Sequence, residues 1–478
     1  MIGRKKEIDA LNELYEDNRA EFVAIYGRRR VGKTYLVNET MSGKITFQHT
    51  GLSPIEGKYI NKSPTKAQLK AFYYSLLQHG MKKGHCPNDW LEAFFMLETL
   101  LSDKDTGDRQ VVFIDELPWM DTPRSGFITA LEAFWNGWGC HRKNLMLIVC
   151  GSANSWILDK LINNHGGLYN RVTYEIKLKP FSLLECEQCL LERNVNLSRY
   201  DITQGYMIFG GIPYYLNYLK KGMSLAQNVD RLFFEKDAVL RYEYDRLFSS
   251  VFVNPEMMKR IVEFLSKKSS GYSRKEIAEG IGTTDGGSLS TALTSLMVSD
   301  FIVKYVPFGM SKREEHYKLT DPFCIFFLRF VKDAANEPGD FWLENINSQE
   351  IVSWRGYAFE NVCFNHIPQI KTALGISGVS AVQSAWSKRA DDENGTQIDL
   401  LIERKDNVVN MCEIKFYGEE FAVDKSYDMV LKHRTGLLYR ELNKKQVIHN
   451  VLITTYGLKY NAYSGDFSNV ITLDDLFA

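Results

Sequence analysis

The sequence has no apolar run near the ~18 residues that a membrane span requires. Its opening, Met1-Ile2-Gly3-Arg4-Lys5-Lys6-Glu7, lacks the apolar core of a signal peptide. A cytoplasmic protein with no membrane partner is the expectation. The chain also lacks a charge surplus: 58 Lys and Arg stand against 59 Asp and Glu, for a net charge of −1. That excludes a non-specific nucleic-acid coat, which needs a basic excess, and leaves room for a local basic groove. The nine histidines contain no HExxH or comparable cluster. The eight cysteines are scattered, most of them inside apolar runs, as buried thiols in a reducing compartment would be. Cys186 and Cys189 form a lone CxxC. A zinc site needs a second ligand pair and none is spaced to supply it, so a helical position is expected.

The 478 residues suffice for three or four domains. Near the N-terminus, Phe22-Val23-Ala24-Ile25-Tyr26 reads as a strand and Tyr35 onward as a helix. Between them Gly27-Arg28-Arg29-Arg30-Val31-Gly32-Lys33-Thr34 is a complete phosphate-binding loop in its proper setting. Backbone N–H groups from Gly27 to Tyr35 and the helix N-terminus would cradle the phosphates of ATP. Lys33 would reach the β and γ oxygens, and Thr34 would give its hydroxyl to Mg²⁺. Val111-Val112-Phe113-Ile114 reads as a buried parallel strand that delivers Asp115 and Glu116 at its C-terminal end. Asp115 would hold Mg²⁺ through water, and Glu116 would orient and deprotonate the attacking water. Such a site is an Mg²⁺-dependent ATPase. A second strand, Leu145 to Cys150, ends in Gly151-Ser152-Ala153-Asn154, where Ser152 or Asn154 can sense the γ-phosphate; a plain turn is the alternative.

Four segments add a resemblance: Asp115-Glu116-Leu117-Pro118-Trp119, Gly166-Gly167-Leu168-Tyr169-Asn170-Arg171, Pro180-Phe181-Ser182 and Gly210-Gly211-Ile212-Pro213-Tyr214. Over residues 1–250 the chain resembles the prokaryotic, archaeal-type branch of the AAA+/STAND ATPases. The resemblance implies a helical lid and a molecular switch more than a motor. It implies that an arginine near the lid completes the site, a position Arg171 matches; an ordinary salt bridge is the alternative. Acting in trans, Arg171 would require a homo-oligomer. The family's Gly-x-Pro lid turn packs on the base, which places Pro213 among the nucleotide-binding residues.

From residue 251 short helices take over. Met258, Ile261, Phe264 and Leu265 make one apolar face. Ser273-Arg274-Lys275-Glu276 opens a second helix as a capping box, and Leu289, Leu293, Leu296 and Met297 stripe a third. Phe301 to Val306 and His316 to Leu319 read as two strands around a charged turn at Lys312-Arg313-Glu314-Glu315. Three helices and a two-stranded wing make a winged helix. Its third helix carries no Lys or Arg and exposes Ser290, Thr291, Thr294 and Ser295. Phosphate contacts would therefore rest on Lys304, Lys312, Arg313 and Lys318. The module binds DNA or packs against protein; both readings stand.

Residues 322–350 are aromatic-rich and read as a helical bridge. Arg355 to Val362 reads as a helix carrying Glu360. Asp399 in one strand is followed, past a polar turn, by Glu413-Ile414-Lys415 in the next. Glu413 and Lys415 share a face, and strand pairing can bring Asp399 to it. Two carboxylates there suit Mg²⁺ or Mn²⁺, with Glu360 as a further ligand and Lys415 positioning water. Asp428 to Arg434, with Arg440, Lys444 and Lys445, would line a phosphate track. Residues 351–478 resemble the restriction-endonuclease-like PD-(D/E)xK superfamily, with Ile398 where proline usually precedes the aspartate.

The expected architecture is multidomain α/β: a P-loop parallel sheet flanked by helices (1–178), a helical lid (179–250), a winged helix (251–321), a helical bridge (322–350) and a restriction-endonuclease-like domain (351–478). The expected function is an ATP-hydrolysing switch coupled to a metal-dependent nuclease-like domain. Nucleic acid, DNA favoured over RNA, would be its partner; a protein partner is the other candidate. The alternative is an ATP-gated DNA- or protein-binding regulator whose C-terminal domain does not cut.

Overall fold

The computed structural model describes residues 2–53, 63–152, 154–163, 166–252, 254–311, 314–334, 339–388 and 396–478, without the side chains of Asn154, Ser387, Lys388 and Asp399. Ala153, Lys312 and Arg313 therefore lie outside the described residues, as does the sensing role offered to Asn154. The chain divides into two compact units. One comprises Met1–Pro180, Asp245–Pro255 and Thr294–Ser299; the other comprises Phe181–Tyr244, Glu256–Leu293 and Asp300–Ala478. Among the described residues no helix is long and apolar enough to cross a membrane.

The first unit is built on a five-stranded parallel sheet of β1 (Glu21–Tyr26), β2 (Ile45–Thr50), β3 (Gln110–Asp115), β4 (Leu145–Gly151) and β5 (Tyr174–Lys177). The spatial order is β2-β3-β4-β1-β5. Every residue of β1, β3 and β4 is buried. Strands covered on both faces read as continuous apolar runs, which is why these three were legible in the sequence. One face is filled by Phe22, Phe47, Phe72, Phe94, Trp90 and Trp135, from the sheet and the helices Pro64–Gln78, Trp90–Asp103 and Phe127–Gly137. Asp89 caps the middle helix, accepting from the Glu92 N–H at 2.9 Å.

In the second unit, Cys186 and Cys189 are buried on the helix Leu183–Glu192, as expected of an unpaired CxxC. The capping box at Ser273 and Glu276 forms. Three corrections concern the region expected to be a winged helix. The sheet has a third strand: β6 (Tyr272–Ser273) pairs with β8 (His316–Leu319), which pairs with β7 (Ile302–Tyr305). Ser295 is buried rather than exposed, because the apolar stripe widens to include Ala292 and carries Ser295 inward with it. Lys318 is buried too, its Nζ 5.5 Å over the Phe364 ring, and offers no surface charge to a phosphate. Lys304 is tied to Glu315 at 2.9 Å.

The aromatic bridge packs as a cluster: Phe326, Phe330, Trp342 and Trp354 sit within 5.7 Å of one another by ring centroid. The C-terminal sheet contains β9 (Ala381–Lys388), β10 (Thr396–Arg404), β11 (Val408–Lys415), β13 (Val447–Thr454) and β15 (Asn469–Ile471); β12 (Phe421–Ala422) and β14 (Leu458–Lys459) form a separate pair. Strand order is β15-β13-β11-β10-β9. The β10–β11 pair is the expected antiparallel hairpin, and β11 runs parallel to β13. Val409 and Met411 pack with Leu431, Leu437 and Leu438 of the helix Lys425–Glu441. The helix Gln349–Asn365 covers the other face, with Phe359 5.1 Å from Phe416.

Candidate functional site

The loop between β1 and the helix Lys33–Thr40 turns on two glycines. Gly27 has φ +147°, and a Cβ there would stand 2.2 Å from the Leu178 carbonyl oxygen, so only glycine allows the close approach of the chain after β5. Gly32 has φ +93°, with no atom within 4 Å of where a Cβ would project. That open side suits the backbone approach of a phosphate. Arg28 and Val31 are buried, Arg29 and Arg30 half-buried, Tyr35 exposed. Arg4 braces the loop from outside the motif. Its guanidinium donates to the Val31 carbonyl at 3.3 Å and to the Lys179 carbonyl at 2.7 Å. Nothing in the spacing of Arg4 announced that role.

Because β4 lies between β1 and β3, its C-terminal end separates the loop from the acidic pair. Ser152, the next residue, fills that gap. Lys33 Nζ donates to the carbonyls of Gly27 and Arg28 at 2.9 and 3.1 Å and to Ser152 Oγ at 3.2 Å. Ser152 in turn donates to Glu116 through Oγ at 2.9 Å and through its backbone N–H at 3.1 Å. Thr34 Oγ1 donates to Asp115 Oδ2 at 2.7 Å, and Cys150 Sγ approaches Asp115 Oδ1 at 3.1 Å. Cys150 was missed as a site residue because its apolar strand explains it fully. Burial lowers the Lys33 ammonium pKa and raises that of the Glu116 carboxyl, each opposed by the charge of the other. The two charges thus compensate each other, with Lys33 buried and Glu116 half-buried. Glu116 holds a left-handed backbone, φ 47°, at the strand end. Arg171 is exposed in the turn before β5. Pro213 opens the short helix Pro213–Leu216 of the second unit.

At the C-terminal site, Glu413 is buried while its carboxylate is engaged by three side chains. Oε2 accepts from the Tyr427 hydroxyl at 2.5 Å and lies 3.9 Å from Lys415 Nζ. Oε1 pairs with the Arg434 guanidinium, which also donates from Nε to Thr396 Oγ1 at 3.1 Å. Lys415 Nζ stands 5.1 Å over the Tyr427 ring. Arg434, expected on a phosphate track, points instead at the carboxylate. Tyr427 was missed. Seven residues apart on one helix, Tyr427 and Arg434 fall on the same face, a periodicity that could have found them. Burial and the Glu413 charge raise the Tyr427 hydroxyl pKa, keeping it a donor. Asp399 lies in β10, its side chain outside the described residues. Glu360 is half-buried on the helix Gln349–Asn365, lining a narrow pocket with Lys268, His316 and Gln397. The described donor set for a cation is thus Glu413, and a cation there has to displace Arg434.

A parallel α/β sheet with a phosphate loop after β1 and an acidic pair at the C-terminal end of β3 defines the first unit as a P-loop ATPase domain. Residues 1–219 match the model of a family described as an ATPase domain predominantly from Archaea. An uncharacterized protein of Methanocaldococcus jannaschii is 26% identical over 425 residues, 87% of each chain. An uncharacterized ATP-binding protein of the same organism is 40% identical over 43 residues, 9% of this chain and 73% of that one. Among solved structures, the Walker-type ATPase of Pyrococcus abyssi is similar with a TM-score of 0.47 at 18% identity, covering 69% of this chain and 96% of that one. The ORC2 protein of Aeropyrum pernix is similar with a TM-score of 0.41 at 13% identity, covering 69% and 93%.

Proposed function

We propose that the protein is an ATP-hydrolysing switch whose C-terminal domain is a metal-dependent, nuclease-like effector acting on nucleic acid. The chain of contacts from Lys33 through Ser152 to Glu116 is the observation that carries the first half. A γ-phosphate arriving at Lys33 draws the ammonium off the Gly27 and Arg28 carbonyls and off Ser152. Ser152 then turns to the phosphate, and Glu116 is released to take the proton of the attacking water. Mg²⁺, held by Thr34 and through water by Asp115, would neutralise charge on the β and γ oxygens. Arg171 is proposed to complete the nucleotide site, as the family resemblance implies.

For the second half, Glu413 and Lys415 on one face of β11 support a cutting site that Asp399 is proposed to join; Glu360, on the helix over the other face of the sheet, lines a different pocket and is not brought to them. A bound Mg²⁺ or Mn²⁺ would polarise the phosphodiester and activate water; Lys415 orients that water. A second reading is favoured by one specific contact: Arg434 already neutralises Glu413. In that reading the domain binds without cutting. The experiment is incubation with DNA and RNA, Mg²⁺ or Mn²⁺, with and without ATP. Cleavage lost in both Asp399→Ala and Lys415→Ala supports the nuclease; cleavage that survives them excludes it. For the ATPase, unchanged hydrolysis in Lys33→Ala overturns the assignment.

A further inference from the structure

Every second residue of a strand points to the same side of its sheet. On β4, Leu145, Leu147 and Val149 enter the core of phenylalanine and tryptophan rings, and on β3 so do Val112 and Ile114. Asp115 and Cys150, each one position further along its strand, therefore share the opposite side. The helix Lys33–Thr40 packs against β4 and brings Thr34 to Asp115. Cys150 is fully buried there, its Sγ 3.1 Å from Asp115 Oδ1.

Both oxygens of the Asp115 carboxylate are held. Oδ2 accepts from Thr34 Oγ1 at 2.7 Å, and Oδ1 accepts from the Glu116 backbone N–H at 2.9 Å and from the Cys150 thiol. Among the described residues the thiol is the only side-chain donor on Oδ1. A carboxylate held at one oxygen swings about its Cβ–Cγ bond; held at both, it keeps one plane. A thiol is a weak donor, and a buried cysteine otherwise behaves as a small hydrophobe. At the buried end of an apolar strand those properties combine: the side chain packs with the strand and still restrains an oxygen. Groups that orient a metal-binding carboxylate, without touching the metal themselves, change the affinity for it.

We propose that Cys150 is a positioning residue of the nucleotide site, its thiol fixing the Asp115 carboxylate in the plane from which Oδ2 serves Thr34 and the Mg²⁺ that accompanies ATP. This role rests on the reading of Asp115 as a Mg²⁺ residue. The competing role is packing alone, which an apolar side chain of similar size fulfils. Two substitutions separate the roles. Cys150→Ser keeps a donor and gives up apolar character; Cys150→Val keeps apolar character and gives up the donor. Packing alone favours valine, and positioning favours serine.

The test is equilibrium binding of a non-hydrolysable ATP analogue to the full chain, once in excess Mg²⁺ and once in EDTA. The ratio of the two dissociation constants is the enhancement by Mg²⁺. Cys150→Val is expected to cut that enhancement about three- to tenfold and to leave binding in EDTA within about twofold of the wild type. In Cys150→Ser the enhancement should stay within about twofold of the wild type. Cys150→Ala also lacks the donor and carries the test if the valine variant does not fold. A folded valine or alanine variant with the full enhancement overturns the inference, as does a serine variant impaired as much as either. Wild-type binding that is equal with and without Mg²⁺ overturns the reading of Asp115 itself, and this inference with it. Enhancement present in the wild type and kept in the donor-less variants overturns the inference alone.

Discussion

Ser152 grips Glu116 with both of its donors, the hydroxyl at 2.9 Å and the backbone N–H at 3.1 Å, so the carboxylate proposed to activate water is turned toward β4. The same hydroxyl accepts from Lys33 at 3.2 Å. One side chain thus reads the lysine and restrains the base. In the proposed mechanism a γ-phosphate competes for both contacts at once, which would make hydrolysis contingent on the right nucleotide.

Ser152→Ala removes the hydroxyl and leaves the backbone donor. Glu116 is then half-released in the absence of nucleotide and is no longer told when the γ-phosphate arrives. The expected result is a kcat for ATP hydrolysis lowered about 10- to 100-fold. The dissociation constant for ADP, which has no γ-phosphate to sense, should change less than about threefold. Equal loss of ADP and ATP binding would mean that Ser152 only holds the loop together.

Thr34 and Asp115, joined at 2.7 Å, carry a second prediction. Thr34→Val keeps the shape and deletes the donor. The Mg²⁺ concentration for half-maximal ATPase activity should rise about tenfold while nucleotide binding in EDTA stays unchanged. An Mg²⁺ titration of steady-state hydrolysis reads this directly.

Arg434 and Glu413 decide between the two readings of the C-terminal domain. Their side chains are 19% and 4% exposed, and deleting one partner of a buried pair costs about 3–5 kcal/mol. Arg434→Gln should therefore lower the unfolding midpoint without metal. If Glu413 is a cation ligand, Mn²⁺ restores part of that loss in the variant, because the competing guanidinium is gone. A variant that ignores Mn²⁺ across a denaturation series would place the domain among scaffolds.

What was legible in the sequence follows how the information is laid down along it. Lys33, Thr34, Asp115 and Glu116 sit in contiguous motifs, and the structure brings them together as that spacing implies. The link of Ser152 to Glu116 depends on β4 standing between β1 and β3, a sheet order that no residue spells out. Tyr427 and Arg434 reach Glu413 from a helix 14 and 21 positions on. Ser295 and Lys318 were misjudged for a different reason. A polar residue carries no mark of burial when the apolar stripe beside it is wider than the helical period suggests. The two-residue strand β6 is too short to show any alternation.

His49 supplies a pH dependence that lies outside both candidate sites. It is buried on β2, with Nδ1 2.9 Å from Ser75 Oγ and the ring edge-on to Phe72 at 5.0 Å. Burial, with His79 nearby, lowers its pKa from 6.5 to about 4. The imidazole is neutral in the fold and takes up a proton on unfolding at any pH between those values. Unfolding therefore binds the extra proton, and stability falls as pH drops. The contribution is fully present above the unfolded value of 6.5 and is lost as pH falls toward about 4. A shift of that size corresponds to about 3.4 kcal/mol. In His49→Leu the fall in urea midpoint between pH 7.5 and pH 5 should be smaller than in the wild type by about 2 kcal/mol once converted through m. An identical acid slope in the two proteins would show that His49 is protonated in the fold, with Ser75 accepting from the charged ring.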